Sequence, residues 1–322
     1  MMAGLAGRSD WKRDDPFTSR AIRLMSPAPV QRPAWASFHG GHSSFVDGSG
    51  TVAEMAQAAA ERGFRAFGFS EHFTMPPHPE FSPDGKMADR YKRSEWIGRY
   101  VTEVREAQAR HAGGISILLG AELEYIRGAD AWTREHIAPW PFEYFVGSVH
   151  HVRYDGEDIT IDWDRARTAE ALRRAGSPER LYLDYYEHVL DLLDWQLAHV
   201  VGHLDLIKIN LEPAEQTDTP AIRLKVQAVL ETMRDRSVAL DVNPRGLIKP
   251  CRAIYPSDWI LVEARRIGVA VTLGDDSHAP DAVGARLEHA VAALRRAGFD
   301  TMALIRPGGV LESVPLPDVG EW

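Results

Sequence analysis

The chain has 322 residues, enough for one large domain with tails or for two ordinary domains, and its 44% hydrophobic and 26% charged residues are those of a globular protein. A formal net charge of −9 argues against general nucleic-acid or anionic-membrane binding while leaving room for a locally basic pocket, and the single Cys251 excludes an internal disulfide or a multi-cysteine metal site. No stretch approaches the roughly 18 consecutive apolar residues of a membrane span, and the first 30 residues lack the apolar core of a secretory signal, so a cytoplasmic protein is expected.

In chain order, residues 1–33 are polar and end in the Pro-punctuated run Ser26-Pro27-Ala28-Pro29-Val30-Gln31-Arg32-Pro33, which reads as a flexible extension. An apolar run at 35–38 is followed by a helix that begins at Thr51, with Glu54 three residues on as a capping box, and stops before Gly63. Further apolar runs fall at 66–69, 115–119, 142–149, 200–201, 238–242 and 269–273. Helical patterns lie between or beyond them at 90–111, 164–175, 177–198, 219–236, 256–267 and 280–297. Residues 34–312 thus read as one domain, and 313–322, with Pro315, Pro317 and Gly320, as an irregular tail. Strand then helix, repeated about seven times, predicts crossover units and a mostly parallel sheet, either open and doubly wound or closed into a barrel. Both forms place chemistry at the carboxyl ends of the strands.

That end is where the histidines fall. Of the 13 in the chain, His39 and His42 follow Phe38, His72 closes the run from Ala66, His150 and His151 close the run to Val149, and His203 follows Val201. Asp275, Asp276 and His278 follow Leu273, Glu122 follows Leu119, and Asp47 lies in the loop after His42. A lone histidine at a strand end is more often a structural residue than a ligand. Five strand ends carrying imidazoles among carboxylates are different, because packing asks for no such arrangement and burying the groups unpaired is costly. Divalent zinc, manganese or iron does ask for it. His111, His188 and His289 sit in helical patterns and His136 before a Pro-Trp-Pro segment, so none is assigned a role. Strand alternation would turn one of His150 and His151 away from the site, which favours His150 as ligand and leaves His151 as a substrate contact.

The segments His39-Gly40-Gly41-His42-Ser43 with Asp47-Gly48, Phe69-Ser70-Glu71-His72 followed by Met75-Pro76-Pro77, Gly120-Ala121-Glu122, Gly147-Ser148-Val149-His150, Gly202-His203-Leu204-Asp205, Asp241-Val242-Asn243 and Gly274-Asp275-Asp276-Ser277-His278 resemble, in order and spacing, the PHP family (polymerase and histidinol phosphatase). The Met-Pro-Pro and Gly-Ser-Val-His segments tilt the resemblance toward its histidinol-phosphate phosphatase branch. It implies a distorted seven-stranded α/β barrel of TIM-like form with two or three divalent ions. The implied ligands are His39, His42, Asp47, His72, Glu122, His150, His203, Asp276 and His278, with Glu122 bridging two ions.

Two departures from the family pattern matter. The first motif, normally His-x-His, has two glycines between its histidines, so a bulge at Gly40-Gly41 is expected to turn His39 back into the site. Relatives tend to carry an Arg four or five residues beyond Asn243. Here Ile248 and Lys249 stand there and Arg245 is nearer, so Arg245 or Lys249 is expected on the phosphate, with Asn243, Ser148 and His151 as further substrate contacts. The implied activity is release of phosphate from histidinol phosphate. Asp276 and His278 would hold one ion and orient the nucleophile, and His203 or Asp205 would protonate the leaving group. A small phosphorylated metabolite is the expected partner, with no nucleic acid and no membrane. Another phosphoester, a metal-dependent amide or C–N bond, or a metal-binding module that has lost catalysis are the alternatives.

Overall fold

The computed structural model describes residues 35–73 and 95–318; the extension expected at 1–33, the Met-Pro-Pro segment and the start of the helix expected at 90–111 lie outside the described residues. Eleven strands are found among them: β1 (Ala36–Ser37), β2 (Ala66–His72), β3 (Ser116–Glu124), β4 (Tyr144–Ser148), β5 (His151–Tyr154), β6 (Glu157–Thr160), β7 (Val200–Val201), β8 (Ala239–Val242), β9 (Val271–Leu273), β10 (Thr301–Arg306) and β11 (Val310–Pro315). The α-helices are α1 (Val52–Glu61), α2 (Ile97–Arg110), α3 (Asp130–Ile137), α4 (Arg165–Ala175), α5 (Pro178–Asp194), α6 (Pro220–Asp235), α7 (Asp258–Ile267) and α8 (Leu287–Arg296). None is long and apolar enough to cross a membrane.

Seven strands form one sheet in the order β1-β2-β3-β4-β7-β8-β9, every neighbouring pair parallel. Because that order is the chain order, each crossover helix packs on the same outer side and the sheet curls on itself. The two edges meet where Phe38 N donates to Leu273 O at 2.9 Å, just beyond β1 and at the end of β9. Phe38 also meets the ring of Tyr144 on β4 edge-on at 6.1 Å, a contact between strands three apart that only a curled sheet allows. This is the barrel form of the expected parallel sheet, nearly closed between β1 and β9.

The helices start where side chains can cap them. Thr51 and Glu54 form the expected capping box on α1, and Asp164, Ser177 and Thr219 cap α4, α5 and α6. The pattern at 280–297 is broken instead: only Pro280–Ala282 forms a 3-10 turn and α8 starts at Leu287. Gly284, at φ +72°, gives its N–H to the Asp275 carboxylate at 2.5 Å, so that amide is lost to any helix. Three elements had no period strong enough to be expected. These are α3, the antiparallel hairpin β5–β6, and the hairpin β10–β11, which carries regular pairing through Pro315 and so into the segment expected to be an irregular tail.

Asp275 is the tie across the closure. Its Oδ1 accepts from Ser37 Oγ at 3.0 Å beside β1 and from Ser277 Oγ at 3.1 Å, while Oδ2 takes Gly284 N. Replacing it strands three buried donors, so Asp275→Ala should cost about 2–4 kcal/mol in urea unfolding, and Asp275→Asn, which keeps an acceptor, less. Equal midpoints for wild type and Asp275→Ala would show that the barrel closes without it.

Candidate metal and active site

All the ligand candidates emerge at the carboxyl ends of the barrel strands. Glu122 points from β3 into their midst. Its Oε2 lies 3.4 Å from His39 Nε2, 3.5 Å from His42 Nε2 and 3.2 Å from His72 Nδ1, and its Oε1 lies 3.6 Å from both His150 Nε2 and His203 Nε2. Around this centre Asp47 stands 3.7 Å from His72 and 3.3 Å from His278, and Asp276 stands 3.6 Å from His42. Three groups have donor atoms close enough to share an ion: His42, Asp47, His72 and His278; His39, Glu122 and His203; and His39, His42 and Asp276. Eight of the nine expected ligands fall in these groups among the described residues, and the ninth, His150, lies beside them at 3.6 Å from Glu122 Oε1.

His39 reaches the centre because the chain after β1 turns through Gly40 at φ +151° and Gly41 at φ +68°, conformations that favour glycine. Its Nδ1 is bound to Asp241 Oδ2 at 2.7 Å, and the same oxygen accepts from His203 N at 3.0 Å, so Asp241 on β8 fixes two ligands at once. Gly202 lets His39 in: a methyl there would stand 2.8 Å from His39 Cε1. His203 and Asp276 are themselves non-glycine residues at positive φ, +23° and +47°, backbone strain that gathers at functional sites.

Electrostatically the centre is a dry array of opposed charges. Burial alone would push the Glu122 carboxyl up, but His72 and His39 hold it well below the usual range. Burial would likewise raise Asp276, and Arg245 and His278 bring it down. Burial lowers His39, yet Glu122 and Asp241 carry it well above the ordinary imidazole value. His42, caught between burial and the stacked rings of His278 and His72, is driven down.

Several buried atoms here have no hydrogen-bond partner: His39 Nε2, both ring nitrogens of His42, both oxygens of Glu122, Asp47 Oδ1 and His203 Nδ1. Orphaned groups at this density would be expensive in a folded protein unless something else binds them. Two ligand atoms about 2.1 Å from one ion at tetrahedral angles stand about 3.4 Å apart, and the separations around Glu122 run from 3.2 to 3.6 Å. The donor set therefore fits divalent metal ions.

A cavity of about 290 Å³ opens above the cluster, lined among others by Glu122, His150, His203, Asp276, Arg245, Lys249 and His151. His150 lies between β4 and β5, where the chain turns, so strand alternation does not separate it from His151. Glu124 binds both, meeting His150 Nδ1 in a short contact and lying 3.0 Å from His151 Nδ1. Against burial, Glu124 lifts His150 to about 10 and is itself lowered to about 2.

Five expected site residues are not on this cavity: His39 and His42 lie fully buried beneath it beside Glu122, and three others face elsewhere. Asp205 points into a separate pocket, its Oδ2 held by Lys208 Nζ at 2.7 Å and by Ser257 Oγ at 2.6 Å, away from a leaving group in the cavity over the metal cluster. Ser148 is buried against Gly202. Asn243 spends its carbonyl on Arg245 N, which shapes the turn that aims Arg245.

Three residues were missed. Asp241 stood in a quoted motif whose histidine-orienting role shows only in three dimensions. Glu124, two residues after Glu122 on the same strand, could have been found by period-two alternation. Arg167, with its Nε buried and unpartnered at the cavity, carried no sequence signal.

Residues 39–245 match the family model for the PHP domain. The chain belongs to the PHP domain family. Among curated PHP relatives, a Schizosaccharomyces pombe protein named "Probable histidinol-phosphatase" is 29% identical over 264 residues, covering 80% of this chain and 85% of its own. The Bacillus subtilis "Histidinol-phosphatase" is 27% identical over 241 residues, covering 73% and 89%. Of solved structures, a Listeria monocytogenes protein assigned provisionally to the histidinol phosphatases superposes with a TM-score of 0.72 at 22% identity, over 79% of this chain and 99% of that one. The Lactococcus lactis histidinol phosphate phosphatase, solved with zinc, L-histidinol and phosphate, gives 0.63 at 20% identity, over 86% and 98%. The barrel of this PHP chain is thus the fold of those enzymes.

Since Asp241 orients two ligands, Asp241→Asn should lower metal affinity about 10- to 100-fold, read by competition with a chromogenic chelator. Undiminished affinity would mean that the ligands hold their places unaided.

Proposed function

We propose that this protein is a metal-dependent phosphomonoester hydrolase that converts histidinol phosphate and water to histidinol and phosphate. The observation that carries the reading is the single carboxylate of Glu122 ringed by five imidazoles at ion-sharing distances, at the foot of a cavity walled by Arg167, Arg245 and Lys249. The activity named for the curated relatives supplies the substrate. His42, Asp47, His72 and His278 would hold one ion, His39, Glu122 and His203 a second, and Asp276 with His39 and His42 fits a third. Zinc, manganese or iron bound there would lower the pKa of a water toward neutrality and neutralise phosphoryl oxygens.

The chain's own residues supply the rest. Arg245 pairs with Asp276 at 3.6 Å and gives a short hydrogen bond to its carbonyl, so it is held at the ligand cluster with part of its guanidinium toward the cavity. Lys249 adds a point charge, and Arg167 a fork suited to two phosphoryl oxygens. Of the two proton donors expected from the sequence, only His203 lines the cavity, and its Nε2 beside Glu122 makes it a ligand rather than a donor.

Exhaustive chelation should abolish phosphate release from histidinol phosphate, and elemental analysis of the active protein should find two or three ions per chain; full activity in metal-free protein would end the proposal. Arg167→Ala should raise KM for histidinol phosphate about tenfold and weaken inhibition by inorganic phosphate in proportion, both read in a steady-state assay. No change in either would place the phosphate elsewhere.

A further inference from the structure

The pocket that takes Asp205 is a second cavity, of about 170 Å³, and it shares no lining residue with the one over the metal cluster. Asp205 and Lys208 stand on its wall as an ion pair, each only 2% exposed. All of the pairing falls on one carboxylate oxygen. Asp205 Oδ2 accepts from Lys208 Nζ at 2.7 Å, from Ser257 N at 2.9 Å and from Ser257 Oγ at 2.6 Å. Lys208 gives its remaining donors to Ile254 O at 2.8 Å and Ser257 Oγ at 2.7 Å, so its ammonium is fully spent. Asp205 Oδ1, equally buried, has no hydrogen-bond partner. An open acceptor on a buried cavity wall is costly unless a donor reaches it.

The rest of the wall asks for the same kind of partner. Gln216 gives its side-chain amide to Leu211 O at 3.3 Å and Cys251 O at 3.2 Å, which leaves its carbonyl oxygen to accept. Tyr182, Tyr186 and Trp259 contribute ring faces, and Asp218 a second carboxylate. Arg223, itself not on the cavity, pairs with Asp218 and lies 4.7 Å from the centre of the Trp259 ring, so these two groups already receive one cation. The nitrogen donors of Lys208 and Gln216 are thus used inside the protein, while oxygen acceptors and aromatic faces remain. The volume is close to that of an engineered cavity of about 150 Å³ that binds benzene, which sets the size of a ligand at about six non-hydrogen atoms.

We propose that this cavity is an effector site that takes a small organic ammonium ion and couples its presence to the metal cluster. The ammonium donates to Asp205 Oδ1 and the Gln216 carbonyl in charge-assisted hydrogen bonds, and its short alkyl stem lies on the tyrosine rings. The coupling runs through the chain that separates the two cavities. His203 is in the ligand cluster, Leu206 and Ile209 line the metal cavity, and Asp205 and Lys208, between them in sequence, line the second one. The opposite strap behaves alike: Ser257 binds Asp205, while Tyr255 lines the metal cavity with its ring 6.2 Å from that of His203. A shift of the Asp205 carboxylate toward a ligand therefore moves the turn that carries His203. The proposal needs the metal cluster but not the phosphatase reading.

The test titrates the metal-loaded protein calorimetrically with n-butylammonium, which stays protonated at neutral pH and so cannot ligate the ions, and with 1-butanol as the uncharged control. The ammonium should bind once per chain with a millimolar Kd, as befits about five non-hydrogen atoms, and 1-butanol at least about tenfold more weakly. Asp205→Asn and Asp218→Asn should each weaken the ammonium at least about fivefold. Asp218 is at the surface, so its variant carries the test if Asp205→Asn does not fold. With n-butylammonium saturating, metal affinity measured against a chromogenic chelator should change by about threefold or more, and removing the metal should change the ammonium Kd by the same factor. Absence of binding, or equal binding of 1-butanol, would overturn the site. Undiminished binding in a folded variant would place the ion elsewhere, in the metal cavity for instance, and overturn it too. Binding that leaves metal affinity unchanged would overturn the effector role.

Discussion

Glu122 imposes a condition that the rest of the molecule has to meet. A carboxylate 2% exposed, with five imidazoles from four strand ends around it and both oxygens without a hydrogen bond among the described residues, is tolerable only where cations can enter. The histidines on their own would not suffice, because several of their ring nitrogens are equally unpartnered and face one another; His150 Nε2 and His203 Nε2 are 3.2 Å apart. The parallel barrel meets the condition geometrically. It brings the carboxyl ends of seven strands to one rim, so residues from His39 to His278 can surround one point.

Closing the barrel and assembling this centre are one event. The hydrogen bond from Phe38 N to Leu273 O joins the sheet edges, and directly beyond it His39 O accepts from Asp276 N at 2.8 Å. Consecutive carboxylates divide the labour: Asp275 turns inward to tie Ser37, Ser277 and Gly284, while Asp276, at positive φ, turns to His42 and Arg245. The same economy holds at the first motif. The doubled glycine that looked like the loss of a ligand bends the chain so that His39 lies against Asp241 and Glu122. With His39 in place, the altered first motif no longer speaks for a module that has lost its chemistry.

The metal-binding half of the site was legible because its information is local and periodic. Every ligand but Asp47 follows an apolar run, and a parallel sheet turns that position in sequence into one place in space. Helix starts were legible for the same reason, through Thr51, Asp164, Ser177 and Thr219. What escaped depends on contacts between distant segments. Asp205 stands one residue past the ligand-bearing His203-Leu204 and looked like part of the site, but Lys208 and Ser257 capture it. His150 and His151 looked like alternate faces of one strand, but the chain turns between β4 and β5 and Glu124 gathers both. The hairpins β5–β6 and β10–β11 are too short for a period to show, and their pairing is fixed by tertiary contact.

Of the residues that sequence reasoning missed, Glu124 and Asp241 lie on barrel strands and Arg167 lies outside the sheet. Arg167 is on α4, which with the segment before it that carries Asp162 and Trp163 on the cavity wall follows the β5–β6 hairpin, inserted between the fourth and fifth strands of the barrel sheet and contributing nothing to it. A barrel strand end is constrained by its neighbours, so its chemistry can be read from position. An inserted arm is constrained only by where it docks, here through Ile161 to His150, Thr168 and Asn210. One scaffold of ligands can therefore accept different arms without disturbing the ions, and substrate choice can change while the hydrolytic centre stays the same. By that logic the identity of the reaction lies in the barrel and the identity of the substrate lies outside it, which is why family likeness is a better guide to the first than to the second.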